Sequence, residues 1–191
     1  RTSPDAACQE LRTSLAGDGP RLVLYFASPV YDPAEIAAAM QASFPDATLV
    51  GCTTAGEIAA GRMLKQSIVA MAIPQDIVPD VHIEVIEGLS QGAGVGAALE
   101  AFEVHFGERI AAMDIQKYVG VVLIDGLSRA EERLMEQVSD LCDLTFIGGS
   151  AGDDLAFKAT HVFANGRAYT DAAVLALLKT PRGFTTIKTQ S

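Results

Sequence analysis

Apolar residues fall in short blocks bounded by Gly, Pro and Asp, and the blocks switch between two periods. Arg21-LVLYFA-Ser28, Ala47-TLVG-Cys52, Ser67-IVAMAI-Pro74, Tyr118-VGVVLI-Asp125 and Leu144-TFI-Gly148 are short, nearly continuous apolar runs, the pattern of buried strands. Asp80-VHIEVI-Glu87 alternates, with Val81, Ile83 and Val85 on one side, and reads as a half-buried strand. Between these runs the period lengthens. Ser3-Pro4 and Asp32-Pro33 each combine a helix cap with a first-turn proline, so helices are expected over Pro4–Leu15 and from Pro33 to Phe44, the second with Ile36, Ala39, Met40 and Phe44 on one face. A long helix is expected over Ala93–Ile110, and another from a Ser128 cap through Leu141 with Glu131 as its capping-box acid. Residues 53–62 read as a loop and 88–92 as a link. Asn165-Gly166 predicts a hairpin between His161–Asn165 and Tyr169–Leu178.

The second half of this pattern repeats the first. Gly148 lies 97 positions after Gly51, and at that offset Phe26 meets Leu123, Ser28 meets Asp125, Glu35 meets Glu132 and Thr48 meets Thr145. After a one-residue deletion Ala55-Gly56-Glu57 meets Ala151-Gly152-Asp153. The expected fold is therefore α/β, with two repeated β-α-β-β units (about 21–87 and 118–178) in mixed sheets flanked by helices. Each unit sends a Gly-rich, hydroxyl-bearing loop out of the carboxyl end of a strand, where α/β sheets bind ligands. Such a loop lets backbone approach a ligand, offers small donors, and can form an anion nest. The candidate ligand-binding residues are Ser28, Cys52, Thr53, Thr54, Gly56, Glu57, Asp125, Gly149, Ser150, Gly152 and Asp153. The acids Glu57 and Asp153 serve either an ammonium group or the turn itself.

These loops also carry a family resemblance. Gly51-Cys52-Thr53-Thr54-Ala55-Gly56-Glu57-Ile58 resembles the signature of the FIST N-terminal domain, and Asp125-Gly126-Leu127, Gly148–Asp154 and Phe163-Ala164-Asn165-Gly166 resemble its later motifs. The resemblance implies a cytoplasmic, bacterial sensory input domain over residues 1–180 that binds a small ligand, an amino acid being one proposal, and regulates a signalling partner. For some members it implies haem, nitric-oxide sensing, and control of a histidine kinase or cyclic-di-GMP enzyme. It also implies a following FIST C-terminal domain, of which residues 181–191 resemble the start.

Composition narrows the alternatives. Of 191 residues 49% are apolar, enough for a sizeable core. No apolar run reaches the roughly 18 residues of a membrane span, and Arg1-Thr2-Ser3-Pro4 leads into an amphipathic stretch without a leader pattern. Fourteen basic against 24 acidic residues give −10, with no basic cluster, so neither nucleic acid nor an anionic membrane is an expected partner. Three scattered cysteines predict free thiols in a reducing compartment rather than a disulfide framework or a zinc site. Cys52 has no base close in sequence and becomes Gly149 in the repeat, which argues against a nucleophile. His82, His105 and His161 do not cluster. His105, beside Phe102 and Phe106, is the one candidate haem ligand, and an amphipathic helix face explains it equally. Glu35 and Glu132 suit the positive ends of helices. Gly92, Gly94 and Gly96 lack the context of a dinucleotide site. An enzyme working at the paired loops stays as the alternative, although no nucleophile–base set can be assembled.

Overall fold

The computed structural model describes residues 3–15, 17, 19–154 and 158–187. The chain runs α1 (Pro4–Ser14), β1 (Leu22–Ala27), α2 (Pro33–Ser43), β2 (Thr48–Thr53), β3 (Glu57–Ala59), β4 (Arg62–Leu64), β5 (Ile68–Ile73), β6 (Asp80–Glu87), α3 (Gly96–Phe106), β7 (Tyr118–Asp125), α4 (Glu131–Leu141), β8 (Thr145–Ala151), β9 (Val162–Ala164), β10 (Arg167–Tyr169) and β11 (Ala172–Lys179). The first two helices start as their sequences dictate. Ser3 Oγ accepts from Ala6 N at 3.3 Å, and Asp32 Oδ1 accepts from Ala34 N and Glu35 N at 3.0 Å.

Two mixed sheets pack face to face. One has the order β10-β9-β2-β1-β5, the other β6-β11-β7-β8, and β3 and β4 form a separate hairpin. Strand alternation divides the apolar residues into three layers. Val119, Val121 and Leu123 of β7 and Val174, Ala176 and Leu178 of β11 face the other sheet, meeting Leu22, Val50 and Cys52. The intervening residues Val122, Ile124, Leu175 and Leu177 pack outward against α3 and α4. Val23, Tyr25 and Leu49 pack outward against α1 and α2. β11 is buried on both faces because it lies between two strands and two layers, which is why it reads as an unbroken apolar run. Each fully buried Leu or Val there contributes about 1.5–3 kcal/mol.

The repeat is real in topology. β1 and β7 each pair in parallel with the strand beyond the next helix, and antiparallel with a third strand. The halves also trade strands. β6 of the first half completes the second sheet beside β11, and β9–β10 of the second half complete the first sheet beside β2. Gly51 shows why this junction needs glycine. It lies opposite Tyr25 on one side and Phe163 on the other, and those two rings stack across it, centroids 5.3 Å apart and 9° from coplanar. A Cβ on Gly51 would overlap the Tyr25 carbonyl oxygen and come within 2.9 Å of its ring. Gly148, at the equivalent position, is pressed in the same way on the Val122 carbonyl.

Several boundaries differ from the sequence reading. The stretch expected as a loop over 53–62 instead ends β2 at Thr53 and enters the β3–β4 hairpin, which runs to Leu64 with Ala60 and Gly61 at positive φ in its turn. α3 is shorter than expected, since Gly107 at φ 66° ends it, and Ile110–Ala112 form a separate turn of 3-10 helix. Ser128 does not cap α4. Its hydroxyl donates to Asp125 O at 2.6 Å, the helix starts at Glu131, and Glu131 turns to Ser150 instead of back to a cap. The Asn165-Gly166 turn joins β9 to the short β10, whereas β11 leaves for the other sheet. Residues 188–191 of the C-terminal stretch lie outside the described residues.

Gly51→Ala is expected to lower unfolding free energy by about 1–3 kcal/mol, the cost of overpacking. Gly149→Ala, where a Cβ meets nothing within 4 Å, is expected to stay within about 0.5 kcal/mol of the parent. Urea unfolding of the two variants checks this.

Candidate functional site

β1 and β2 run in parallel, as do β7 and β8, so four carboxyl-terminal strand ends carry the two repeated loops. The loops meet. Gly152 N donates to Thr53 O at 2.9 Å, and a Cβ on Gly152 would stand 3.4 Å from Ala55 N. Neither Gly56 nor Gly152 has a positive φ. Gly152 serves close approach of one loop to the other, and Gly56 close approach to the Leu64 carbonyl, 3.4 Å from its Cβ position.

A strap formed by residues 158–161 runs between the two loop regions. Thr53 holds its end: Thr53 N donates to His161 O at 2.9 Å, and His161 N donates to Thr53 Oγ1 at 3.0 Å. Asp153 Oδ2 accepts from Lys158 N at 2.9 Å. A cleft of about 400 Å³ opens on one side of the strap, lined by Pro29, Val30, Pro33, Thr53, Asp153, Asp154, Lys158, Ala159 and His161. A second cleft, about 360 Å³, opens on the other, lined by Ser90, Asp125, Leu127, Ser128, Lys158, Ala159, Thr160, Thr170 and Asp171. Asp125, 5% exposed, organises this second side. Its carboxylate accepts from Leu127 N at 3.0 Å, from Asp171 N at 2.5 Å and from the Thr160 hydroxyl. Asp171 in turn accepts from Ser90 N and Oγ at 2.8 and 2.7 Å. Burial pushes the His161 imidazole below its ordinary value, against the opposing pull of Asp125 and Asp32. The first cleft therefore combines an imidazole, a threonine, two carboxylates and a lysine with the apolar Pro29, Val30, Pro33 and Ala159, a lining that offers a small molecule both polar and apolar contacts.

The candidate residues separate into groups. Thr53 and Asp153 line the first cleft and Asp125 the second. Ser28 is buried behind them, its hydroxyl accepting from Val30 N at 3.5 Å, and Thr54 and Gly152 form the contact between loops. Cys52 faces the core between the sheets, because the residue before Thr53 on a strand points to the opposite side. Burial pushes its thiol up to about 12, so it is neither a nucleophile nor a thiolate ligand at neutral pH. Glu57, 1% exposed, is turned into its own hairpin: Oε1 accepts from Thr54 Oγ1 at 2.8 Å, and Oε2 from Ser67 Oγ at 2.5 Å and Ser67 N at 3.3 Å. It braces the loop against β5, and a Glu57→Gln change disturbs that brace rather than a solvated acid. Gly56 belongs to the same hairpin. Gly149 and Ser150 lie on the exposed edge of β8, away from both clefts. Lys158, Thr160 and Asp171 were not singled out by sequence. Lys158, the basic residue after Asp153-Asp154, was the one available signal.

His105 does not fit a haem. Its Nε2 is 2.9 Å from Asp80 Oδ1, and its ring stacks on His82 with centroids 4.4 Å apart. His82 Nε2 is likewise held, 2.8 Å from Glu84 Oε1. No group of three His, Cys, Asp or Glu among the described residues is placed to hold a metal ion. None of the described helices is long and apolar enough to cross a membrane.

Two outcomes follow for solution measurements. Cys8, Cys52 and Cys142 are free, so three thiols titrate in denaturant without reductant, and in the folded protein the half-buried Cys142 reacts first. For His161 the folded pKa lies below the unfolded value of about 6.5. The unfolded chain then binds the extra proton as pH falls through and below that value, so this site costs stability there. The unfolding midpoint is expected to drop less between pH 7 and 5 in His161→Gln than in the parent.

Comparison with known proteins adds one finding. The FIST N domain family model matches residues 21–191, from the start of β1 through both loops and the strap. No curated protein matches the chain at a significant level.

Proposed function

Because the chain belongs to the FIST N domain family, a family of sensory domains in signal transduction, we propose that it binds a small zwitterionic ligand, an amino acid, in the cleft between β1, β2 and the strap. The lining carries this reading. Asp153, Asp154, Lys158, Thr53 and His161 all line the cleft, so an acid, a base and small donors are available to the two charged ends of an amino acid. The Pro29, Val30 and Pro33 side accepts an apolar side chain. The signal leaves through the strap. Lys158 and Ala159 line both clefts, and Thr160 is bonded to Asp125 at the end of β7, so a shift on the ligand side reaches the second sheet. A signalling partner reads that shift. The family is sensory rather than enzymatic, and the one thiol in the signature loop is buried in the core.

Thermal-shift measurements with each of the 20 common amino acids, followed by calorimetry on those that raise the midpoint, test this. At least one is expected to bind, and Asp153→Asn is expected to weaken it by about 1.5–3 kcal/mol, the range for a hydrogen bond to a charged group. A flat response to the whole set, with the protein folded, overturns the reading.

A further inference from the structure

β8 is the outermost strand of its sheet, and residues 147–150 are exposed along it. The other sheet edges differ. β6 carries Asp80, His82, Glu84 and Glu87, and β10 is three residues long; β5 (Ile68–Ile73), the far edge of the first sheet, is also uncharged, but the β3–β4 hairpin lies beside it, tied to Ser67 at its start through Glu57. β8 instead presents Phe146-Ile147-Gly148-Gly149-Ser150, without charge or proline, and no strand pairs its outer side among the described residues. An edge of this kind leaves a row of N–H and C=O groups open to another strand.

The repeat indicates the geometry of the missing neighbour. Residues 147–149 of β8 correspond to 50–52 of β2, and those three are paired antiparallel by Val162, Phe163 and Ala164 of β9. The second half reaches across because it spends residues 153–172 between its loop acid and its third strand. The first half spends only 57–68, eight residues fewer, and the tight β3–β4 hairpin consumes them. The first half therefore cannot return the same cover to β8.

Charge selects the occupant. α4 flanks the open edge: the Ser150 hydroxyl donates to Glu131, and Met135 and Cys142 pack in the same cluster as Phe146. The outer face of α4 carries Glu132, Glu136 and Asp140 around a shallow hollow. Pairing with β8 of a second copy would set two such faces side by side in a chain of net charge −10. A basic strand meets them favourably. We propose that β8 accepts an extended segment of a partner protein, added antiparallel as a further strand, with Lys or Arg at alternate positions on the α4 side. The intervening side chains lie on the face of Ile147 and Gly149, where a Cβ at 149 finds open space.

Fluorescence anisotropy of the whole chain with labelled peptides of about ten residues, enough to run the length of β8, tests this. An alternating Lys–Val peptide is expected to bind at least about tenfold tighter than an alternating Glu–Val peptide, and than a Lys–Pro peptide of equal charge that lacks half the N–H donors. Ile147→Lys, which guards the edge, is expected to weaken the Lys–Val peptide by about tenfold at an unchanged unfolding midpoint, and Gly149→Lys repeats the test should Ile147→Lys fold poorly. Combined Glu132→Gln and Glu136→Gln is expected to flatten its salt dependence. Three results overturn the proposal: equal binding of Lys–Val and Lys–Pro peptides, no binding of either, or a dimer of the parent chain that Ile147→Lys splits.

Discussion

The end of β2 depends on one residue. Thr53 uses its amide to hold His161, its hydroxyl to take the His161 amide, and its carbonyl to take the Gly152 amide. Two segments roughly a hundred positions away in sequence are thereby fixed to the first half. The strap, both clefts and the β9–β10 cover over β2 are all downstream of this clasp. A buried backbone amide without such a partner costs about as much as the bond itself, so the arrangement admits no partial version.

Glycine supplies the clearance the clasp requires. Gly51 lets Tyr25 and Phe163 stack across β2, and the stack seats β9 close enough for its neighbour His161 to reach Thr53. Gly152 lets the second loop come within hydrogen-bonding distance of the first. The polar residues then divide the labour. Glu57 and Asp125, both nearly fully buried, spend their oxygens on the protein's own donors and keep the loops in place. Asp153, Lys158 and His161 stand along the opening that this scaffold leaves.

Much of this was legible in the residues, for identifiable reasons. Strands were clear because burial on both faces removes polar positions, as in β7 and β11. The repeat was clear because Gly51 and Gly148 answer the same steric demand. The two loops were legible as equivalents, each following the carboxyl end of a strand. What was not legible depended on partners far away in sequence. Whether Glu57 faces a ligand or a turn depends on Ser67, ten residues on and across a hairpin. Cys52 and Thr53 are adjacent, and only strand phase sends one to the core and the other to the cleft. The roles of Thr160 and Asp171 exist because Asp125 sits between them, and no local pattern announces that.

The exchange of strands has a consequence for how the molecule comes to be. Two β-α-β units that each kept their own strands would fold as neighbours, one after the other. Here β6 waits for β11, and β2 waits for β9, which emerges from the ribosome more than a hundred residues later. Pairings between such distant segments pay the entropy of closing long loops before any contact repays it, so assembly is slow and late. Until the last strand arrives, β2 is itself an open edge with an aromatic ring exposed at its side. A chain cut between the two repeats therefore yields two fragments with unfinished sheets rather than two small domains.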